Sequence, residues 1–187
     1  MSRASDARRR IFRSLEHAFA FIGVVALVYH GFFHLSVIVS GSMAPTLQGN
    51  STADGDYVLT ERITYRVRAP RRWEVIMFPE PELQVQVMKR VVGLPGETVT
   101  LNQGTQTFSI NGAAIARPQS LMTIKYLAFG GLAAGKAAQA GNGYYVLGDF
   151  SADSQDSRWL GPVSPGQIQG RPWLVVWPPS HIRFVNP

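Results

Sequence analysis

A mainly β, antiparallel domain behind a single N-terminal transmembrane helix is the fold class this sequence predicts, and three observations predict it. An apolar run from Ala18 to Val39, broken only by His30, His34 and Ser36, follows an arginine-rich start. From Ser40 onward, short runs rich in Val, Thr, Tyr and Phe are punctuated by Gly and Pro, the pattern of strands and turns. Runs of helical period are scarce in that part of the chain.

The N-terminal element divides at residue 17. Residues 1–17 carry Arg3, Arg8, Arg9, Arg10 and Arg13 against Asp6 and Glu16, and form a basic tail. Residues 18–39 form the expected anchor. A helix from Ala18 to Leu35 measures roughly 27 Å at about 1.5 Å per residue, close to a hydrocarbon core of about 30 Å. Arginines flanking such a span hold their side in the cytoplasm, so residues 40–187 are expected on the extracytoplasmic face. A cleaved secretory signal is the rival reading. Against it, no Ala-x-Ala follows the apolar run, and the nearest small-x-small triplet is Ser40-Gly41-Ser42. His30 and His34 stand four apart, a spacing that suits a metal on a helix, but no third ligand is near in sequence. Interfacial histidines fit better.

The net charge of +6 and the absence of cysteine bound the function. Excess positive charge suggests nucleic acid, yet much of it sits in the tail beside the anchor, where it reads as an orientation signal. No nucleic-acid partner is expected. Without cysteine there are no disulfides or thiolate metal sites.

Beyond the anchor, strands are expected at Tyr57–Tyr65, Glu74–Phe78, Val85–Val92, Thr98–Leu101, Thr107–Ile110, Tyr144–Leu147 and Leu174–Trp177. Asn111-Gly112 between two such runs is a strong hairpin signal. Gly93-Leu94-Pro95-Gly96 and Trp177-Pro178-Pro179 mark turns or strand ends. Gly130–Gly143, rich in Gly and Ala, reads as a mobile loop or ribbon outside the core. Trp159, Trp173, Trp177 and Phe184 suit either core packing or lipid contact.

Three segments carry chemistry. In Leu83-Gln84-Val85-Gln86-Val87-Met88-Lys89-Arg90-Val91-Val92, side-chain alternation puts Lys89 on one face with Leu83, Val85, Val87 and Val91, and Arg90 on the other with Gln84 and Gln86. A lysine on an apolar face is costly unless its charge is lost or paired. A neutral amine is a general base, whereas a lysine that snorkels to a strand edge is structural only. The strand pattern leaves both open. Ser40-Gly41-Ser42-Met43-Ala44-Pro45-Thr46-Leu47 offers the hydroxyl to be deprotonated. An extended backbone there sets Ser40 and Ser42 on one side, where the Ser42 amide and the Ser40 hydroxyl suit an oxyanion. The same triplet also reads as a flexible exit from the membrane. In Gly148–Trp159, Asp156 and Arg158 are spaced to pair and stiffen a loop. Calcium is a poor fit, because Asp149, Asp153 and Asp156 do not follow the EF-hand spacing.

Together these segments resemble the type I signal peptidase family. Ser40 to Leu47 is similar to its serine box, Gly55-Asp56-Tyr57-Val58-Leu59 to the next box, Lys89 to Glu97 to its lysine box, and Gly148-Asp149 with Ser154, Asp156, Ser157, Arg158 and Trp159 to its final box. The resemblance reaches from the anchor to about residue 163. It implies that Ser42 is the nucleophile and Lys89 the general base of a Ser/Lys dyad. Ser40 and the Ser42 amide form the oxyanion hole, Ser154 orients the lysine amine, and Asp156 with Arg158 braces the loop. It also implies a β-rich core with a small β extension at about residues 102–142. The activity that the resemblance implies is cleavage of signal peptides from preproteins at the membrane lipid surface, after small residues at −1 and −3, with no metal or organic cofactor. A specialised relative that matures one substrate, such as a conjugative pilin, shares these features. An inactive signal-peptide-binding module on the same fold is the reading from another class. The dyad also recurs in self-cleaving repressors, but the anchor and the lack of a DNA-binding helix pair argue against those. The chain departs from the family pattern at Val39, Phe150 and Ala152-Asp153.

Overall fold

The computed structural model describes residues 3–49, 54–80 and 85–185. Leu83 and Gln84, expected at the start of the lysine strand, lie outside the described residues. The chain divides into two units, Met1–His34 and Leu35–Pro187.

The first unit is α1, Arg3–Phe32. Its segment Arg9–Phe32 is long and apolar enough to cross a membrane, and Phe19, Phe21 and Leu27 stand exposed on it. Twenty-four residues span roughly 36 Å at about 1.5 Å per residue.

The expected helix to Leu35 is corrected at its outer end. Phe33–Val37 is strand β1, and Ile38 is buried in the core of the second unit with Met43, Val58, Met77 and Val175. Val37-Ile38-Val39 is a β-branched run, which favours extended backbone. Burial of Ile38 rewards that choice. His30 closes α1 and His34 lies on β1, so the two share no helix face.

The second unit is built from antiparallel strands. In chain order they are β2 (Tyr57–Glu61), β3 (Val75–Glu80), β4 (Val85–Gly93), β5 (Thr98–Asn102), β6 (Thr107–Ile110), β7 (Ala113–Ile115), β8 (Ala138–Gln139), β9 (Tyr145–Leu147), β10 (Arg171–Trp177) and β11 (Arg183–Phe184), with one-turn helices α2 (Thr64–Val67) and α3 (Ser157–Leu160) between them. Three sheets result, ordered β1-β2-β10-β11, β3-β4-β9 and β7-β6-β5-β8. The third is the expected extension. It begins at Thr98, because β5 is also the strand on which β6 and β8 pair.

β3 explains how these sheets share an interior. Met77 faces a cluster with Ile38, Met43 and Val175. Its neighbour Ile76 faces another, with Val91, Tyr144 and Val146. Side chains alternate across a strand, so a strand buried on both faces reads as a continuous apolar run, Val75-Ile76-Met77-Phe78. The extension contributes Val99, Leu101, Phe108 and Tyr126 to a third cluster that takes in Trp73 and Val92.

The Asn111-Gly112 hairpin forms as expected, with φ of 51° and 84° at its two central residues, the left-handed pair that a type I′ turn requires. Two other expectations are corrected. The strand from Tyr57 stops at Glu61, and α2 takes Tyr65. The Glu61 carboxylate accepts the amides of Ile63 and Thr64, which turns the chain out of the sheet. Gly130–Gly143 is not a loop outside the core. Leu132, Ala138 and Ala140 are buried, and Ala138–Gln139 pairs with β5.

Candidate active site

Lys89 is placed by strand register. It lies opposite Ile76, as Val87 lies opposite Phe78, so its stem enters the apolar face of the β3–β4 pair. Only 4% of the residue is exposed. Burial pushes its amine down to about 8, while Asp156 and Asp149 pull it up and Arg158 pushes it down further. Desolvation thus outweighs the nearby carboxylates.

Ser42 meets that amine. Nζ of Lys89 and Oγ of Ser42 are 2.7 Å apart. Gly41–Met43 form a 3-10 turn, not the extended run expected, with Ser40 extended before it. The turn still brings Ser40 Oγ to 3.3 Å from Ser42 Oγ. Met43 is buried and pins the turn to the core.

The loop after β9 holds the serine turn from behind. The Phe150 amide donates to the Ser42 carbonyl at 3.0 Å. Gly148 permits the approach: a Cβ there would stand 2.6 Å from that carbonyl oxygen and 2.1 Å from Ser154 Oγ, well inside contact distance. Asp156 caps α3 and accepts from the Gly148 amide at 3.0 Å. Arg158 grips both oxygens of Asp156 through Nε and a terminal nitrogen, at 2.8 and 2.6 Å. Its guanidinium also lies 4.0 Å from the centre of the Phe129 ring, which ties the extension to the loop.

Ser154 is the site residue that departs from expectation. Its hydroxyl is buried and makes no hydrogen bond among the described residues, so it does not hold the Lys89 amine in this state. The reason is local. Its Oγ is tucked against Gly148, and the amine is directed at Ser42.

Alternation alone did not reveal Arg90. The face opposite Lys89 is a second interior, not a polar surface, and Arg90 is fully buried in it. Two of its nitrogens donate to Asp149 at 2.8 and 2.6 Å, and a third donates to the Trp73 carbonyl at 2.6 Å. Tyr126 of the extension and Thr46 beyond the serine turn both donate to Asp149. One carboxylate thus joins the lysine strand, the serine segment, the final loop and the extension. The available signal was a charge pair adjoining two motifs, Lys89-Arg90 and Gly148-Asp149.

A groove of about 330 Å³ runs up to this centre. β3 pairs with β4 along Val85–Arg90, whereas β9 pairs with it only from Arg90 onward. Between Val85 and Lys89 the other edge of β4 has no strand beside it among the described residues. Val87, Met88, Ile38, Ser40 and Met43 line it together with Ser42 and Lys89.

This arrangement has relatives. A family model described as signal peptidase, peptidase S26, matches residues 11–177. The chain belongs to the S26 signal peptidase family. It is 34% identical over 155 residues to a probable signal peptidase I-2 of Synechocystis sp., across 80% of this chain and 65% of that protein. It is 32% identical to a signal peptidase I of Leptolyngbya laminosa, across 80% and 71%. A mitochondrial ATP-independent inner membrane protease subunit 1b of Arabidopsis thaliana is 31% identical, across 82% and 80%. The chain therefore spans just under two thirds of the Synechocystis protein and rather more of the other two.

In this S26 chain the three departures fall around the serine turn. Val39 precedes Ser40, Phe150 is about half exposed on the loop that bonds Ser42, and Asp153 stands at the rim of the groove. None lies between Ser42 and Lys89.

Proposed function

We propose that this chain is a membrane-bound serine endopeptidase that removes N-terminal signal peptides from exported preproteins through a Ser42/Lys89 dyad. The observation that carries the reading is the 2.7 Å approach of a buried lysine amine to a serine hydroxyl. An amine at about 8 is neutral in about one molecule in ten at pH 7, against well under one in a thousand for a free lysine.

The preprotein lies extended along the open edge of β4, as peptides add to free strand edges. Alternate side chains, at −1 and −3, enter the groove. Neutral Lys89 takes the Ser42 proton as Oγ attacks the scissile carbonyl. The Ser42 amide and the Ser40 hydroxyl receive the developing oxyanion. The Lys89 ammonium returns the proton to the departing amine of the mature chain, leaving an ester on Ser42. A water, deprotonated by Lys89, attacks the ester carbonyl; the acyl bond to Ser42 breaks, the Lys89 ammonium returns the proton to Ser42 Oγ, and the signal peptide leaves with a free carboxylate end. Asp156 with Arg158 braces the loop behind Ser42, and Ser154 reaches the lysine amine only when substrate reorganises the site.

α1 anchors the chain with its N-terminus cytoplasmic, so residues 40–187 work on the extracytoplasmic face. Trp159, Trp177, Ile182 and Phe184 are exposed on that domain and suit contact with membrane lipid. Incubating the detergent-solubilised full chain with several preproteins, and sequencing the product N-termini, tests the reading. Cleavage after small residues at −1 and −3 is expected. No cleavage of any preprotein contradicts it, and cleavage of only one identifies a dedicated peptidase.

A further inference from the structure

Glu80 ends β3 and is 8% exposed. No hydrogen bond or ion pair satisfies its carboxylate among the described residues. Every other carboxylate buried to that degree in the second unit has partners: Asp56 has Arg183, His181 and the Gln48 amide. Glu61 accepts two amides on one oxygen while its other oxygen is buried without a partner among the described residues, Glu74 has Arg68, Asp149 has Arg90 and Asp156 has Arg158. The Glu80 oxygens are not among the buried, unsatisfied side-chain atoms of the described residues, so the unpaired carboxylate stays open to the groove that it lines.

The charge of the groove gives the complementary chemistry. Its charged lining residues are Glu80, Lys89 and Asp153. With Lys89 neutral, as the proposed mechanism requires, two carboxylates remain and no cation. We infer that Glu80 is a specificity residue that receives a lysine or arginine side chain of the substrate, upstream of the cleaved bond. This inference rests on the peptidase reading above.

Register gives the position. Glu80 lies opposite Val85, and Lys89 opposite Ile76. Four residues of strand separate the two pairs, roughly 13 Å at about 3.3 Å per residue. A peptide extended along β4 with its scissile bond at Ser42 brings its residue four or five places upstream beside Glu80. A basic side chain there gains a charge-assisted hydrogen bond to a carboxylate that no group among the described residues engages.

Peptides with small residues at −1 and −3 and a single lysine placed at −2, −4, −5 or −6, each with a glutamine twin, test this with the full chain in detergent. The ratio of kcat/KM for the lysine peptide to that of its twin is expected to peak at −4 or −5, at about tenfold. Glu80→Gln is expected to bring that ratio to one. Glu80→Lys is expected to reverse it in favour of a glutamate peptide. A ratio of one at every position in the wild type, or a peak that survives Glu80→Gln, overturns the inference while leaving the peptidase reading intact. Failure to cleave any peptide overturns both.

Discussion

Arg90 and Asp149 form a two-point ion pair with no side-chain exposure on either partner. Arg90 follows Lys89 in β4, and Asp149 follows Gly148 in the loop that holds the Ser42 turn. The pair therefore fixes the strand that carries the proposed base to the loop that holds the turn of the proposed nucleophile. Removing one partner leaves a buried charge alone. Arg90→Met or Asp149→Leu is expected to cost about 3–5 kcal/mol, read as a fall in the denaturation midpoint. The double variant is expected to lose less than the sum of the two. Additive losses would show that the two side chains act independently.

Lys89 gives a pH dependence whose sign follows from burial. Its amine is lowered to about 8, and only the neutral form accepts the Ser42 proton. The value of kcat/KM should therefore rise about tenfold per pH unit below pH 7 and level off above an apparent pKa of about 8. A rate that is flat from pH 5.5 to 8.5 would exclude an amine of this kind as the base.

The same shift acts on stability. Lowering an amine from 10.5 to about 8 costs about 3 kcal/mol below pH 8, at about 1.36 kcal/mol per pKa unit. Between pH 8 and 10.5 the unfolded chain holds the proton and the folded chain does not, so this cost disappears as pH rises. Lys89→Met is expected to be inactive yet more stable than the wild type at pH 6, by about 1–3 kcal/mol, with the difference shrinking toward pH 10.5. A less stable variant at pH 6 would show that the buried amine is a structural contact, not a strained functional one.

Ser154 separates positioning from packing. Its buried hydroxyl makes no hydrogen bond among the described residues, so Ser154→Ala should leave the denaturation midpoint unchanged or slightly raised. If the hydroxyl orients Lys89 once substrate binds, kcat falls by about tenfold to a hundredfold and KM changes little. Unchanged kcat and KM would remove Ser154 from the proposed machinery.

Local patterns made much of this fold legible. The Asn111-Gly112 turn and the strands flanking it, Thr107–Ile110 and Ala113–Ile115, sit where the sequence suggested, because turn type and alternation are set within a few residues. The outer end of the membrane segment was not legible. Hydropathy treats Phe33–Val39 as a continuation of the helix, whereas Ile38 is drawn into a core built from residues far along the chain. Gly130–Gly143 misled for a similar reason, since small residues look like a loop until a partner strand, β5, buries them. At the candidate site, the residues drawn from the serine, lysine and final boxes meet around Ser42. The Arg90–Asp149 pair needed a contact across 59 positions, and the unpaired Glu80 needed the register of β3 on β4.

The central claim is that Ser42 and Lys89 act as one unit. Rates of preprotein cleavage by Ser42→Ala, Lys89→Ala and the double variant, each shown to be folded, test it most directly. Each single variant is expected to lose at least about a thousandfold in kcat, and the double variant no more than the worse single. Substantial cleavage by either single variant, or losses that multiply in the double, would contradict the dyad.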